Sequence, residues 1–91
     1  MSAAVRIPTI LRNYTQGQAE VMVEGGTVRE VLSNLDVRYP GITARVIDDQ
    51  GNVRRFVNVY LDDDDVRFLD GLDTPVSTGA RLSIIPAVAG G

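Results

Sequence analysis

The last two residues of the sequence, Gly90 and Gly91, are the strongest candidates for chemistry. Two glycines add nothing to packing and cost backbone entropy to hold in place, so structure alone does not account for them. Without Cβ atoms they can pass a narrow channel and bring the Gly91 carboxylate into another protein. A carboxylate is a poor electrophile, so use as a carrier would require ATP-dependent activation to an acyl-adenylate and attack by a sulfur nucleophile, giving a thiocarboxylate. The alternative is a frayed end without a role.

The sequence contains no Cys and no His. Disulfides and thiolate nucleophiles are therefore excluded, together with the imidazole base and the commonest ligand of transition metals. A Ser or Thr nucleophile would have to find another base. We expect a protein with no catalytic residues, no metal site and no cofactor of its own.

A run of four aspartates, Asp62 to Asp65, is the remaining cluster of potential metal ligands. A calcium loop needs ligands at alternate positions, a Gly at the bend and a distant Glu, whereas here the sixth position is Arg67 and no Glu follows. We interpret the run as a solvated turn. The pair Gly25-Gly26 lacks the residues that surround phosphate-binding glycines, so we interpret it as a turn between a strand and a helix.

Length and charge predict one small domain over residues 1–86, followed by a flexible tail over residues 87–91. The nine basic residues, all Arg, are scattered along a chain of net charge −3, which argues against nucleic acid. No apolar run approaches the roughly 20 residues of a membrane span, and the first residues lack the pattern of a secretory signal. We expect a cytoplasmic monomer with transient protein partners.

Alternating apolar residues predict the strands that must position the tail. The expected strands are 4–11, 18–24, 53–61 and 81–86, with a short edge strand possible near Val66. Between the second and third strands, Thr27 and Glu30 fit a capping box, and Val28, Val31, Leu32 and Leu35 form one apolar stripe of a helix that Pro40-Gly41 ends. Residues 42–47 suit a short helical turn, and residues 62–79 suit an irregular segment held by Val66, Phe68, Leu69 and Leu72.

This order predicts an α+β domain of the β-grasp (ubiquitin-like) type, a mixed sheet of four to five strands packed on one main helix. The outward face of the third strand carries Phe56 and Tyr60, and correct pairing could bring Met22 and Ile85 beside them, with Arg54 at the rim. Such a patch would be a docking site. Alternatively, residues 66–72 fold over this face and bury it.

Two segments carry a resemblance to a known family, the bacterial ubiquitin-like sulfur carriers. Residues 84–91, IIPAVAGG, look like the terminal strand, proline and Gly-Gly tail of that family, and residues 56–61, FVNVYL, look like its third strand. The family includes the molybdopterin-synthase small subunit, the thiamine sulfur carrier and the cysteine-biosynthesis sulfur carrier. Residues 6–12 and 63–68 look most like the last of these, in its actinobacterial form.

The resemblance implies that an E1-like, ATP-using enzyme activates Gly91, which is then sulfurated. Pro86, Ala87, Val88, Ala89 and Gly90 would enter the partner's active site. In the cysteine branch the acceptor is a cysteine synthase that uses pyridoxal phosphate, and a metalloprotease-type hydrolase releases cysteine. A sulfur donor for another product, such as molybdopterin, remains an alternative. Two further alternatives belong to other classes: a ubiquitin-like protein modifier, joined through Gly91 to lysines of its targets, and a plain binding module.

Overall fold

The computed structural model describes residues 2–86, which form a five-stranded sheet with one α-helix packed on one face. In chain order the elements are β1 (Ser2–Arg6), β2 (Glu20–Glu24), α1 (Val28–Arg38), β3 (Val57–Leu61), β4 (Asp64–Asp65) and β5 (Arg81–Pro86). Short 3-10 turns lie at Thr9–Leu11, Thr43–Arg45, Val66–Phe68 and Gly71–Asp73.

The sheet has the order β2-β1-β5-β3-β4. The central pair β1 and β5 is parallel, whereas β1 with β2, β5 with β3, and β3 with β4 are antiparallel. This mixed sheet under a single helix confirms the predicted β-grasp fold. Because β5 lies in the middle, its residues Leu82 and Ser83 pair on both sides, whereas Ile84, Ile85 and Pro86 pair with β3 alone.

Helix α1 begins at the predicted capping box. The Thr27 hydroxyl oxygen accepts a hydrogen bond from the Glu30 amide at 3.2 Å, and the Glu30 carboxylate accepts one from the Gly26 amide at 2.7 Å. The carboxylate thus reaches one residue further back than in the usual box, where it bonds the capping residue itself. The predicted stripe of Val28, Val31, Leu32 and Leu35 is entirely buried.

Core side chains alternate along each long strand. Ala3 and Val5, Val21 and Val23, Val59, and Leu82 and Ile84 all point towards the helix and are buried. Burying one aliphatic side chain of this size stabilises a fold by about 1.5–3 kcal/mol, so these alternating positions fix which face of each strand meets the helix.

The main differences from the prediction concern the ends of two strands and two anchoring side chains. Strand β1 ends at Arg6, because Pro8 precedes a 3-10 turn that turns Leu11 into the core. Strand β3 begins only at Val57, and Arg55 and Phe56 lie in a turn before it. In residues 62–79, Phe68 is 86% exposed and Leu69 is 43% exposed, so these two side chains do not hold the segment.

The side chains that do anchor this segment are smaller. Val66 and Val76 are buried, Leu72 packs against the core partly buried, and the Thr74 hydroxyl donates to the Gly71 carbonyl at 2.7 Å. The short edge strand expected near Val66 is present as β4. A segment with nine Asp, Gly and Pro residues therefore needs few apolar contacts, because its backbone groups pair locally.

Candidate functional site

Pro86 is the last described residue and the last residue of β5, and the tail predicted to carry the function follows it in the sequence. It is the register partner of Val57, the first residue of β3, and Ile85 pairs with Asn58. Of the predicted tail residues, Ala87, Val88, Ala89, Gly90 and Gly91 lie outside the described part of the chain. The site is therefore built from the residues that surround Pro86.

The predicted docking residues do not form one continuous face. Ile85 is 45% exposed on the outer face of the sheet, and Tyr60, opposite Ser83, is half-buried one row further from Pro86. Phe56 is 62% exposed, but it lies in the turn before β3 rather than on the strand. Strand alternation therefore does not place Phe56 or Arg54 beside Tyr60, contrary to the expectation from the sequence.

Met22 is also separate from this region. Met22 on β2 pairs with Ala4 on β1, and Ala4 pairs with Arg81 on β5. Met22 is therefore level with Arg81, which is four residues before Ile85 along β5. At about 3.3 Å per residue that separation is roughly 13 Å, with two strand spacings in addition. The idea that Met22 joins the patch is wrong. Residues 66–72 also leave Phe56 and Ile85 uncovered.

One side chain from that segment, Arg67, holds the turn that carries Phe56. Its guanidinium donates to the Arg54 carbonyl at 2.9 Å, to the Val57 carbonyl, and to the Asn58 side-chain oxygen at 2.8 Å. The Asp65 carboxylate accepts from the Arg67 amide at 2.8 Å and lies 3.7 Å from its guanidinium. Arg67 thus joins the segment after β4 to the start of β3. Sequence reasoning missed it, although an Asp two residues before it is a recognisable capping pattern.

A groove of about 730 Å³ opens beside Pro86, on the side of the sheet end that faces the first loop. Its apolar walls come from Pro8, Ile10, Leu11, Phe56 and Pro86, and its charged walls from Arg45, Arg54, Arg55 and Asp48. The Tyr14 hydroxyl accepts from Arg45 Nε at 3.1 Å. This hydrogen bond raises the pKa of Arg45 above its ordinary value, and a guanidinium is charged at physiological pH even without that shift.

The acidic run has structural tasks. Asp62, at φ +55°, makes the turn between β3 and β4, and its carboxylate accepts from the Arg81 amide at 3.1 Å. Asp65 caps the 3-10 turn that contains Arg67. Within residues 2–86 no group of three or more Asp, Glu, His or Cys side chains is placed to hold a metal ion. No helix in the same range is long and apolar enough to cross a membrane.

The Gly25-Gly26 pair connects β2 to α1, as predicted, and Gly25 has a packing reason as well. A Cβ atom at Gly25 would lie 2.7 Å from the Val31 amide nitrogen and 2.8 Å from a Val31 methyl carbon. The end of β2 therefore lies so close to α1 that position 25 requires a glycine.

The comparisons with known proteins agree with this geometry. The ThiS family model matches residues 5–91, which is nearly the whole chain. The chain belongs to the ThiS family. This confirms the resemblance to the ubiquitin-like sulfur carriers that the terminal and third-strand segments indicate.

Individual relatives of this ThiS-family chain include carriers and a modifier. It is 47% identical to the sulfur carrier protein CysO of Mycobacterium tuberculosis, with all of both chains covered. It is 40% identical over 68 residues to the small archaeal modifier protein 3 of Haloferax volcanii, covering 75% of this chain and 73% of the relative. A chain in the crystal structure of the Amycolatopsis orientalis BexX/CysO complex superposes with a TM-score of 0.92 at 46% identity, covering 98% and 99%.

Proposed function

We propose that this chain is a sulfur carrier protein of cysteine biosynthesis that bears its sulfur as a thiocarboxylate on Gly91. The observation that carries the proposal is the 47% sequence identity, over the full length of both chains, with a sulfur carrier protein. The fold supports it, because the central strand β5 ends at Pro86 on the surface and leads directly to Ala87 through Gly91.

The proposed reaction takes place in two steps on partner enzymes. A carboxylate oxygen of Gly91 attacks the α-phosphorus of ATP, and pyrophosphate leaves. Hydrosulfide then attacks the acyl carbon, AMP departs with the carboxylate oxygen that attacked phosphorus, and loss of the proton from the new acyl-sulfur group leaves Gly91 as a thiocarboxylate. An E1-like adenylyltransferase and sulfurtransferase would supply both the ATP site and the activating groups.

In this scheme the chain contributes no catalytic residue and binds no cofactor of its own. Its described residues supply docking contacts at the end of the sheet, where Phe56, Ile85 and Arg54 are exposed around Pro86 and Tyr60 is half-buried. Five residues beyond Pro86 span at most about 17 Å, so a partner that acts on Gly91 must contact the domain close to Pro86. Docking near Pro86 and reaction at Gly91 are therefore coupled by chain length.

Downstream, we propose that a pyridoxal phosphate-dependent cysteine synthase accepts the sulfur and that a metalloprotease-type hydrolase releases cysteine. These reactions would place the chain in the cytoplasm, as a monomer that meets its partners in turn. Transfer to another product, such as molybdopterin, would use the same terminus with a different acceptor.

A second candidate function is protein modification, which the similarity to a small archaeal modifier protein favours. The same adenylated Gly91 would then form an amide with a lysine of a target protein. The chain has no Lys, so it could not build chains on itself through side chains.

Deletion of Gly90 and Gly91 tests the proposal most simply. The truncated chain should fold as the full chain does, because the whole described fold is formed by residues 2–86, but the activating enzyme and ATP should no longer release pyrophosphate with it. Circular dichroism of both chains controls for folding. Pyrophosphate release that survives the truncation would contradict a function at Gly91 and favour a plain binding module.

A further inference from the structure

The groove beside Pro86 gathers three of the nine arginines of an acidic chain. Arg45 lies nine residues before the adjacent pair Arg54 and Arg55, and the fold brings all three to one opening. A single carboxylate, that of Asp48, lines the same opening. The sequence alone does not show this concentration, because it depends on how the 3-10 turn at Thr43–Arg45 meets the turn before β3.

The arginines of the groove have no anionic partner among residues 2–86. The ion pairs within this range join Arg29 to Asp73, Arg67 to Asp65, and Arg81 to Glu20. Asp48 offsets only one of the three positive charges, and its carboxylate accepts from the backbone amides of Gln50 and Asn52 at 2.9 and 3.0 Å rather than pairing with an arginine. The groove therefore carries a net positive charge on a protein of net charge −3.

Two of these arginines are held in place by neutral groups. Arg45 donates through Nε to the Tyr14 hydroxyl, and Arg54 donates through Nε to the Ala44 carbonyl at 2.8 Å. Both contacts use the Nε proton and leave the terminal guanidinium nitrogens without a protein acceptor among the described residues. A guanidinium fixed in this way is arranged to bind a carboxylate with two parallel hydrogen bonds.

Apolar side chains stand next to the cations. Ile10 is 66% exposed and Phe56 is 62% exposed, and both line the groove together with Pro86. Exposed large apolar residues beside fixed charges are typical of an anchor site for a protein partner, in which an apolar side chain is surrounded by polar contacts.

We propose that the groove binds the enzyme that adenylates Gly91, through a segment of that enzyme with an apolar side chain flanked by Asp or Glu. This inference rests on the proposed function, which makes adenylation the first reaction of each cycle. The apolar side chain lies between Ile10 and Phe56, and the carboxylates bind Arg45, Arg54 and Arg55. Because Gly91 is within about 17 Å of Pro86, an enzyme seated in the groove has the terminus within reach of its ATP site.

The test compares two double variants with the same change of net charge. Arg54→Gln with Arg55→Gln removes two cations from the groove, and Arg29→Gln with Arg81→Gln removes two exposed cations elsewhere, Arg81 being at the opposite end of β5. Each is measured by steady-state pyrophosphate release with the activating enzyme and ATP. The groove variant should show a KM about 10-fold higher than the unmodified chain with kcat nearly unchanged, and the control variant should stay near the unmodified chain.

Salt gives a second readout. The kcat/KM of the unmodified chain should fall as ionic strength rises, and that of the groove variant should fall less steeply, because fewer charges steer the encounter. Equal KM values for the groove and control variants would overturn the proposal while leaving the proposed function intact. If the activating enzyme releases no pyrophosphate from ATP with the unmodified chain, both this proposal and the proposed function are wrong.

Two other occupants of the groove are distinguished by NMR of the chain alone. If ATP without enzyme shifts the guanidinium signals of Arg45 and Arg54, the groove is a small-anion site and the proposal is wrong. If amidation of the Gly91 carboxylate shifts the same signals without enzyme, the chain's own terminus occupies the groove and the proposal is also wrong. Unchanged signals in both experiments, together with the KM effect, support the enzyme as occupant.

Discussion

Val57 and Pro86 face each other as register partners in the antiparallel pair of β3 and β5. This pairing places the point where residues 87–91 join the sheet directly beside the turn that carries Phe56. The exposed Ile85 and the arginine-lined groove border the same point on different sides. The surroundings of Pro86 thus combine the features that a tail-receiving partner needs to recognise.

Removing the aromatic side chain at this point should weaken partner binding without unfolding the protein. We expect Phe56→Ala to raise the KM for adenylation about 10-fold, because truncating a central anchor of an interface commonly costs a factor of this order. The side chain is 62% exposed, so the urea midpoint should change little. An unchanged KM would show that Phe56 is not a docking residue.

Neighbouring isoleucines on β5 separate docking from stability. Ile84 is 3% exposed in the core and Ile85 is 45% exposed on the outer face. Ile84→Ala should lower the free energy of unfolding by about 2–5 kcal/mol, whereas Ile85→Ala should change it much less and instead raise the KM for adenylation. Urea unfolding and pyrophosphate release on both variants measure this. A larger stability loss for Ile85→Ala would contradict the observed faces of β5.

Arg67 should act by positioning the turn before β3. Arg67→Ala removes its bonds to the carbonyls of Arg54 and Val57, and we expect the free energy of unfolding to fall by about 1 kcal/mol. The Val57 amide, which donates to the Arg54 carbonyl at 3.0 Å, should exchange faster with solvent. Arg67→Lys should not restore either value, because a lysine cannot bond several acceptors in one plane. Full rescue by lysine would mean that only the charge matters.

The junction between β2 and α1 should tolerate no side chain at its first glycine. Gly25→Ala places a Cβ atom 2.7 Å from the Val31 amide nitrogen and should cost about 1–3 kcal/mol of unfolding free energy. Gly26→Ala is the matched control, since its nearest non-neighbouring atom is the Glu30 carboxylate oxygen at 3.3 Å, at the end of a flexible side chain. Thermal unfolding of the two variants should rank Gly25→Ala as the less stable, and the reverse order would contradict the packing described.

The sequence predicted the parts of the fold that follow from local pattern. The capping residue Thr27, the buried stripe of α1, and the alternation of Leu82 and Ile84 all follow from periodicity and capping chemistry, and the structure confirms each one. The β-grasp fold also follows from the order of strands and helix along the chain, and the structure confirms it.

Features that depend on distant parts of the chain were not predictable. Alternation over residues 53–61 suggested a strand that starts at Val53, but Arg67 holds a turn at Arg54 to Val57 instead. The same alternation placed Phe56 on the strand, whereas it lies in the turn before β3. The groove combines side chains from the first loop, the 3-10 turn at Thr43–Arg45 and the start of β3. Residue spacing within one segment cannot predict that three separate segments come together in this way.

The central claim is that Gly91 carries sulfur, and intact-mass spectrometry tests it most directly. The full chain is incubated with its activating enzyme, ATP and a sulfide source, and its mass is compared with that of the chain lacking Gly90 and Gly91 under the same conditions. The account predicts a mass gain equal to the replacement of one oxygen by one sulfur in the full chain alone. No gain in the full chain, or the same gain in both chains, would contradict it.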